Sequence, residues 1–183
     1  MQTSESGDLK QFILANSMAL VTPFNEENAP KIFGGEIKNH LLLFIGNNGD
    51  KTAEIVAEFT KSAKTNKGKF LYVTVDSDEE ENDQVLEYFG ITSSDTPTVR
   101  AIQMSEDSMD KYKPENAEFS AEVFDKFVGG VLDGSVSKFL MSEEIPASND
   151  GNVKVIVGKQ FSEIVKVQDK SVLVMFYSAF DTV

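Results

Sequence analysis

Over 183 residues the chain sets 30 aspartates and glutamates against 17 lysines and arginines, a formal net charge of −13 that repels phosphate backbones and argues against nucleic acid as a partner. It has no cysteine, which excludes disulfides, thiolate nucleophiles and cysteine-based metal sites, and the single histidine, His40, is too few for a triad or a metal centre. No stretch approaches the roughly 18 consecutive apolar residues of a membrane span, and the opening MQTSESGDLK is polar, without the apolar core of a secretion signal.

In chain order, residues 8–15 form a short amphipathic piece with Leu9, Phe12 and Ile13 on one face. Residues 18–24 (MALVTPF) are a first strand, with Pro23 marking an edge or a strand end. NEENAPKIFGG offers Asn25 or Asn28 as a cap, Pro30 in the first turn and Gly34-Gly35 as a stop, so a short helix follows. Residues 40–45 (HLLLFI) are a buried strand, preceded by a capping or strand-edge His40, and GNNGD is a turn by its residue types. Residues 51–64 have helical apolar spacing.

Residues 70–75 are too densely apolar and β-branched for a half-exposed strand and belong in the middle of a sheet. A carboxylate-rich turn, an amphipathic helix over 82–89 and a Gly90 stop come next, and Thr96-Pro97 opens a strand over 98–104. Residues 109–113 suit a short edge strand. Ser120 caps a helix over 121–132 whose apolar face is Val123, Phe124, Phe127, Val128 and Val131, stopped by Gly134. The order is βαβαβαββα. The acidic runs at 76–83 and 115–122 lack the ligand alternation and central glycine of a calcium loop and read as solvated helix ends. Beyond Gly134 the chain becomes a linker, with Pro146 and Asn149-Asp150-Gly151, before two further strand candidates at 153–157 and 172–177.

This order, with an X-Pro bond directly before a returning strand, is similar to the thioredoxin fold, where that bond is usually cis. The expected fold class is therefore α/β: a thioredoxin-like central mixed β-sheet flanked by helices, without redox motif, followed by a linker and a truncated second thioredoxin-like domain. APKIFGGEIK with LLLF after it, VDSDEEENDQVLEYFGI, YKPE, LMSEEIP, and VKVIVGK followed by VLVMFY resemble the protein disulfide isomerase family over nearly the whole chain. The match is to its third thioredoxin-like domain (b′), the x-linker and the first strands of the fourth (a′). It implies boundaries at 1–16 for the end of a preceding domain or tag, 17–134 for b′, 135–152 for the linker and 153–183 for the start of a′.

The resemblance implies a non-catalytic, chaperone-like module of the endoplasmic reticulum lumen that needs no cofactor. It would capture unfolded or partly folded polypeptides in an apolar pocket lined by Phe24, Ala29, Phe33, Val73, Val85, Tyr88, Phe89 and Met104, with Met109 nearby. Pro97 would be the cis-proline. Periodicity alone assigns Phe24, Val73 and Phe89 to the core, whereas Phe33 before a Gly-Gly stop and Tyr88 beside Phe89 are less easily placed there, since adjacent aromatics cannot both point inward on one helix. The linker would cap the pocket. Relatives carry a tryptophan near the position of Asn149; with none in this chain, the capping contact weakens or passes to Phe139, Leu140 or Ile145.

The family's catalytic motif, Trp followed by Cys-Gly-His-Cys, is expected right after Phe176-Tyr177, where this chain reads SAFDTV. The chain itself is thus expected to do no thiol chemistry, while a parent protein would be the isomerase. The competing reading is a scaffold that docks other domains of the parent or a fixed partner, such as the prolyl 4-hydroxylase α subunit, and an exposed apolar patch also invites a homodimer.

Overall fold

The computed structural model describes residues 19–46, 51–105, 108–116 and 118–176. The stretch 8–15, the GNNGD turn beyond Gly46 and the tail from Tyr177 onward lie outside the described residues. The chain divides into two units, 1–139 and 140–183.

The first unit is built on the expected order. Strands β1 (Val21–Pro23), β2 (Asn39–Ile45), β3 (Leu71–Asp76), β4 (Thr98–Met104) and β5 (Met109–Tyr112) form one sheet in the order β1-β3-β2-β4-β5. The first three are parallel, and β4 and β5 run antiparallel to their neighbours. Helices α1 (Ala29–Phe33), α2 (Thr52–Thr65), α3 (Asp83–Phe89) and α4 (Ala121–Asp133) flank it. The Thr96–Pro97 bond is cis. This is the thioredoxin-like fold.

From Leu41 to Ile45 strand β2 is apolar throughout because both its faces are covered. Leu41, Leu43 and Ile45 point to one side, where Ile55, Phe59 and Ala63 of α2 and Phe124, Phe127, Val128 and Val131 of α4 meet Tyr72, Val99 and Ala101. Leu42 and Phe44 point to the other, against Ile32 of α1, Leu86 and Phe89 of α3, and Leu71, Val73, Val75 and Ile102 of the sheet. Helix ends follow their residue types. The Ser120 hydroxyl accepts from the Val123 N–H at 3.3 Å, while Gly90 and Gly134 end α3 and α4 at φ 62° and 78°, a left-handed conformation that disfavours a Cβ.

A polar cluster ties α2, β3 and α4 together inside the first layer. Asp125 Oδ1 accepts from Ser62 Oγ and from Asn66 Nδ2, both at 2.6 Å, and the Tyr72 hydroxyl lies 2.7 Å from Ser62 Oγ. Burial pushes the Tyr72 phenol up to about 12.

His40 is not at a strand edge. It sits fully buried on the central strand with Nε2 2.8 Å from the Ile32 carbonyl, so the neutral ring donates to the last turn of α1. Burial lowers its pKa below the ordinary 6.5. The expectation of an edge histidine fails because β4 adds a strand on the outer side of β2.

Among its described residues the second unit carries one helix, α5 (Gly158–Val165); before it Asn149 Oδ1 accepts from the Val155 N–H at 2.9 Å, and Lys159 in its first turn pairs with Glu144 at 2.8 Å. The strands expected at 153–157 and 172–177 do not form among the described residues. A strand needs a ladder partner, and here Leu173 is 100% exposed, with Val153, Met175 and Phe176 largely so.

Candidate functional site

The face of the sheet covered by α1 and α3 gathers every residue expected at the apolar pocket except Ala29, which opens α1 beside it. At its floor, Val73 and Phe89 are buried, with Phe89 packed edge to face on Phe44 at 5.3 Å. Neither reaches solvent in this state. Around that floor stand half-buried side chains: Phe24 just after β1, Phe33 at the end of α1, Val85 on α3 and Met104 at the end of β4. The Phe24 and Phe33 rings lie 6.1 Å apart, and Phe33 also meets the His40 ring at 5.7 Å.

Tyr88 and Met109 form the outer rim. Successive positions on α3 point Phe89 inward and leave Tyr88 46% exposed, so one helix supplies both a floor and a wall. The Tyr88 hydroxyl donates to Met109 Sδ at 3.2 Å, and Met109 pairs in register with Met104. Polarizable thioethers beside aromatic rings make an adaptable apolar surface.

Sequence reasoning missed the cationic margin of this face. On β4 and β5, alternate residues share a side of the sheet, so Met104 with Met109 and then Ile102 with Lys111 succeed one another along it; Arg100 continues the row on β4, and Lys113 follows just past the end of β5. Lys111 Nζ lies 3.4 Å from the Tyr88 ring centroid and donates to the Tyr88 carbonyl; desolvation lowers its pKa. Arg100 is only 4% exposed. Its Nη1 donates to Thr98 Oγ1 at 2.7 Å and to the Val99 carbonyl at 2.8 Å, and burial lowers its pKa. The period-2 spacing of Arg100 with Ile102 and of Lys111 with Lys113 was the available signal.

Of the residues expected to cap the pocket, Phe139 belongs to the first unit. Its N–H donates to the Lys111 carbonyl at 2.6 Å, continuing the hydrogen bonding past β5, and its ring stands 5.6 Å from the Arg100 guanidinium and 5.9 Å from Lys113 Nζ. Leu140 and Ile145 belong to the second unit and are exposed. A groove of about 830 Å³ runs along α4, lined by Lys113, Val123, Phe127, Gly130, Val136 and Phe139 among others. A smaller one of about 240 Å³ lies beside Pro97, Val99 and Phe119. None of the residues expected at the apolar pocket lines either groove. Among the described residues no group of three histidine or carboxylate side chains is placed to hold a metal ion, and no helix is long and apolar enough to cross a membrane.

Residues 1–129 match the family of thioredoxin-like domains. Protein disulfide-isomerase of Drosophila melanogaster is 41% identical over 172 residues, which is 93% of this chain and 34% of that protein. The Oryctolagus cuniculus protein disulfide-isomerase is 42% identical over 171 residues, 93% of this chain and 33% of that protein. The chain therefore spans about one third of the length of these curated relatives. Among solved structures, the Trx4 domain of ERdj5 superimposes with a TM-score of 0.52 at 17% identity, covering 64% of this chain and 99% of that one. The bb fragment of ERp72 gives 0.50 at 18% identity, covering 74% and 58%. At those identities the structural likeness concerns the fold.

Proposed function

The chain belongs to the family of thioredoxin-like domains, and we propose that it is a non-catalytic polypeptide-binding module of the protein disulfide isomerase kind, equivalent to a b′ domain with its x-linker. Without a cysteine it has no redox motif and exchanges no disulfides itself. In this reading it works in the endoplasmic reticulum lumen, holding unfolded segments for the disulfide chemistry of a longer parent protein.

The observation that carries the reading is the α1–α3 face. A buried floor of Val73 and Phe89 is ringed by Phe24, Phe33, Val85, Met104, Tyr88 and Met109, all half-buried or exposed. A site for clients of varied sequence relies on non-directional apolar burial and adaptable side chains rather than a fixed hydrogen-bond pattern. Burying one client aromatic of about 150–250 Å² is worth some 4–6 kcal/mol before the costs of association, so affinities are micromolar or weaker.

The test is an amide NMR titration of the labelled chain with a short unfolded peptide containing aromatic residues. Shifts gathered on Phe24, Phe33, Tyr88, Met104 and Met109 support the reading. Shifts confined to the α4 grooves, or none at saturating peptide, replace it with the docking scaffold, in which a fixed partner such as the prolyl 4-hydroxylase α subunit or a second copy covers an apolar face.

A further inference from the structure

We propose that Arg100 and Lys113 form a carboxylate-binding subsite at the end of the apolar face, closed by the Phe139 ring and opened when that ring withdraws. The inference rests on the polypeptide-binding reading and adds to it the class of client favoured: a peptide bearing a carboxylate next to its apolar anchor.

The first observation is a buried charge without a direct ion pair. Arg100 is 4% exposed, yet among the described residues no carboxylate lies within ion-pair distance of it or of Lys113, and its Nε has no hydrogen-bond partner. A guanidinium taken out of water without a counter-charge is costly, and proteins ordinarily pair one with a carboxylate. Here two neutral oxygens and an aromatic ring substitute. Asp95 acts on both Arg100 and Lys113 from beyond ion-pair distance, its carboxylate being held by Thr92, whose N–H donates to it at 2.8 Å and whose hydroxyl donates at 2.6 Å.

The second observation is the cover. One ring, Phe139, stands near both cations; its backbone is tied to β5 by its N–H to the Lys111 carbonyl and by the neighbouring Lys138–Asp110 pair at 2.7 Å, while the ring itself is half-buried. The groove along α4 opens directly beside it, with Phe139 and Lys113 both in its wall, so the ring has space to move into without disturbing the core. The third is placement. Arg100 is one rung from Ile102, which adjoins the Met104 and Met109 rim, so a peptide whose aromatic sits on that rim carries a neighbouring carboxylate toward the guanidinium. A planar fork of N–H donors matches a carboxylate in two-point contact, which a cation over a ring does not. In a chain of net charge −13 such attraction has to be local.

The test uses the full chain and matched acetylated peptides that contain phenylalanine. One ends in a free carboxylate, one in an amide, and two further amides carry Glu or Gln beside the phenylalanine. Binding is measured by calorimetry or NMR at about 0.15 M salt. Either the free terminus or the Glu peptide is expected to bind on the order of tenfold tighter than its neutral match, and which one does so identifies the source of the carboxylate. Arg100→Gln abolishes that preference, so that the charged and neutral members of each pair bind alike; Phe139→Ala enlarges it severalfold. The Arg100 Nε–H resonance, followed in wild type and Phe139→Ala during propionate titration, reads the subsite without the apolar face. Equal affinities for charged and neutral peptides in both proteins, or an Arg100 Nε–H signal unmoved by propionate when Phe139 is alanine, overturn the inference. Equal loss of all peptide binding with a propionate response at Arg100 instead refutes the apolar-face reading alone.

Discussion

Replacing Tyr88 by alanine is the sharpest test of the apolar face, because it removes a wall of the site and nothing from its floor. Tyr88 is 46% exposed, so on a side chain of about 200 Å² a bound client covers roughly 90 Å² that water now touches. At about 25 cal/mol per Å² that contact is worth some 2 kcal/mol, and ordering the client and desolvating the hydroxyl reduce it to about 1.4 kcal/mol, a tenfold weaker Kd in the variant. Folding stability should fall far less than for a buried aromatic, since the lost contacts are a ring-on-ring edge with Phe89 at 5.2 Å, the Lys111 ammonium over the ring and a bond to a thioether. Peptide titration followed by fluorescence anisotropy, with urea unfolding as the control, separates the two. An affinity unchanged within twofold in a variant that unfolds at the wild-type midpoint would refute the assignment of Tyr88 to the site.

Asp125→Ala strips a charged acceptor from the Ser62 hydroxyl and the Asn66 amide, while Tyr72 keeps its bonds to both, so urea denaturation should show a loss of about 2–3 kcal/mol. His40, whose burial lowers its pKa, takes up a proton more readily in the unfolded chain. Its contribution to stability is therefore whole above pH 6.5 and falls as the pH drops from there toward the depressed folded value, a slope in the urea midpoint that His40→Gln should flatten. Gly134→Ala places a Cβ in open space but at φ 78°, so its cost is backbone strain alone, about 1 kcal/mol, readable as a lower Tm.

The first unit was legible because its elements announce themselves locally. The apolar run of β2 and the dense β-branched run of β3 could only be central strands, Ser120 and Gly134 bracket α4 as their chemistry demands, and Gly90 stops α3 at a positive φ. The two strands expected in the second unit do not form, for the opposite reason. VKVIV and VLVMFY have strand composition, but composition states a preference that only a neighbouring strand can satisfy, and among the described residues none does. His40 shows a milder version of the same limit. An imidazole beside an apolar run looks like a strand end until a carbonyl from α1 is found 2.8 Å from its Nε2.

At the candidate site periodicity separates floor from wall in part: it assigns Val73 and Phe89 to the core and leaves Tyr88 outside it, as found, but it also assigns Phe24 to the core, and that ring is half-buried. The division matters for function. Floor residues such as Val73 hold α1 and α3 in place, and substituting them tests folding, whereas Phe24, Phe33, Tyr88 and Met109 stand where a client can displace water without unpacking the core. The cationic margin belongs with the second group. Arg100 is held in place by the β4 backbone and Thr98, while the half-buried ring beside it stands at the end of the unit, so a surface aromatic lies over a charge that has no direct ion pair. A fixed charge under a surface ring can respond to an incoming carboxylate while the fold beneath stays as it is.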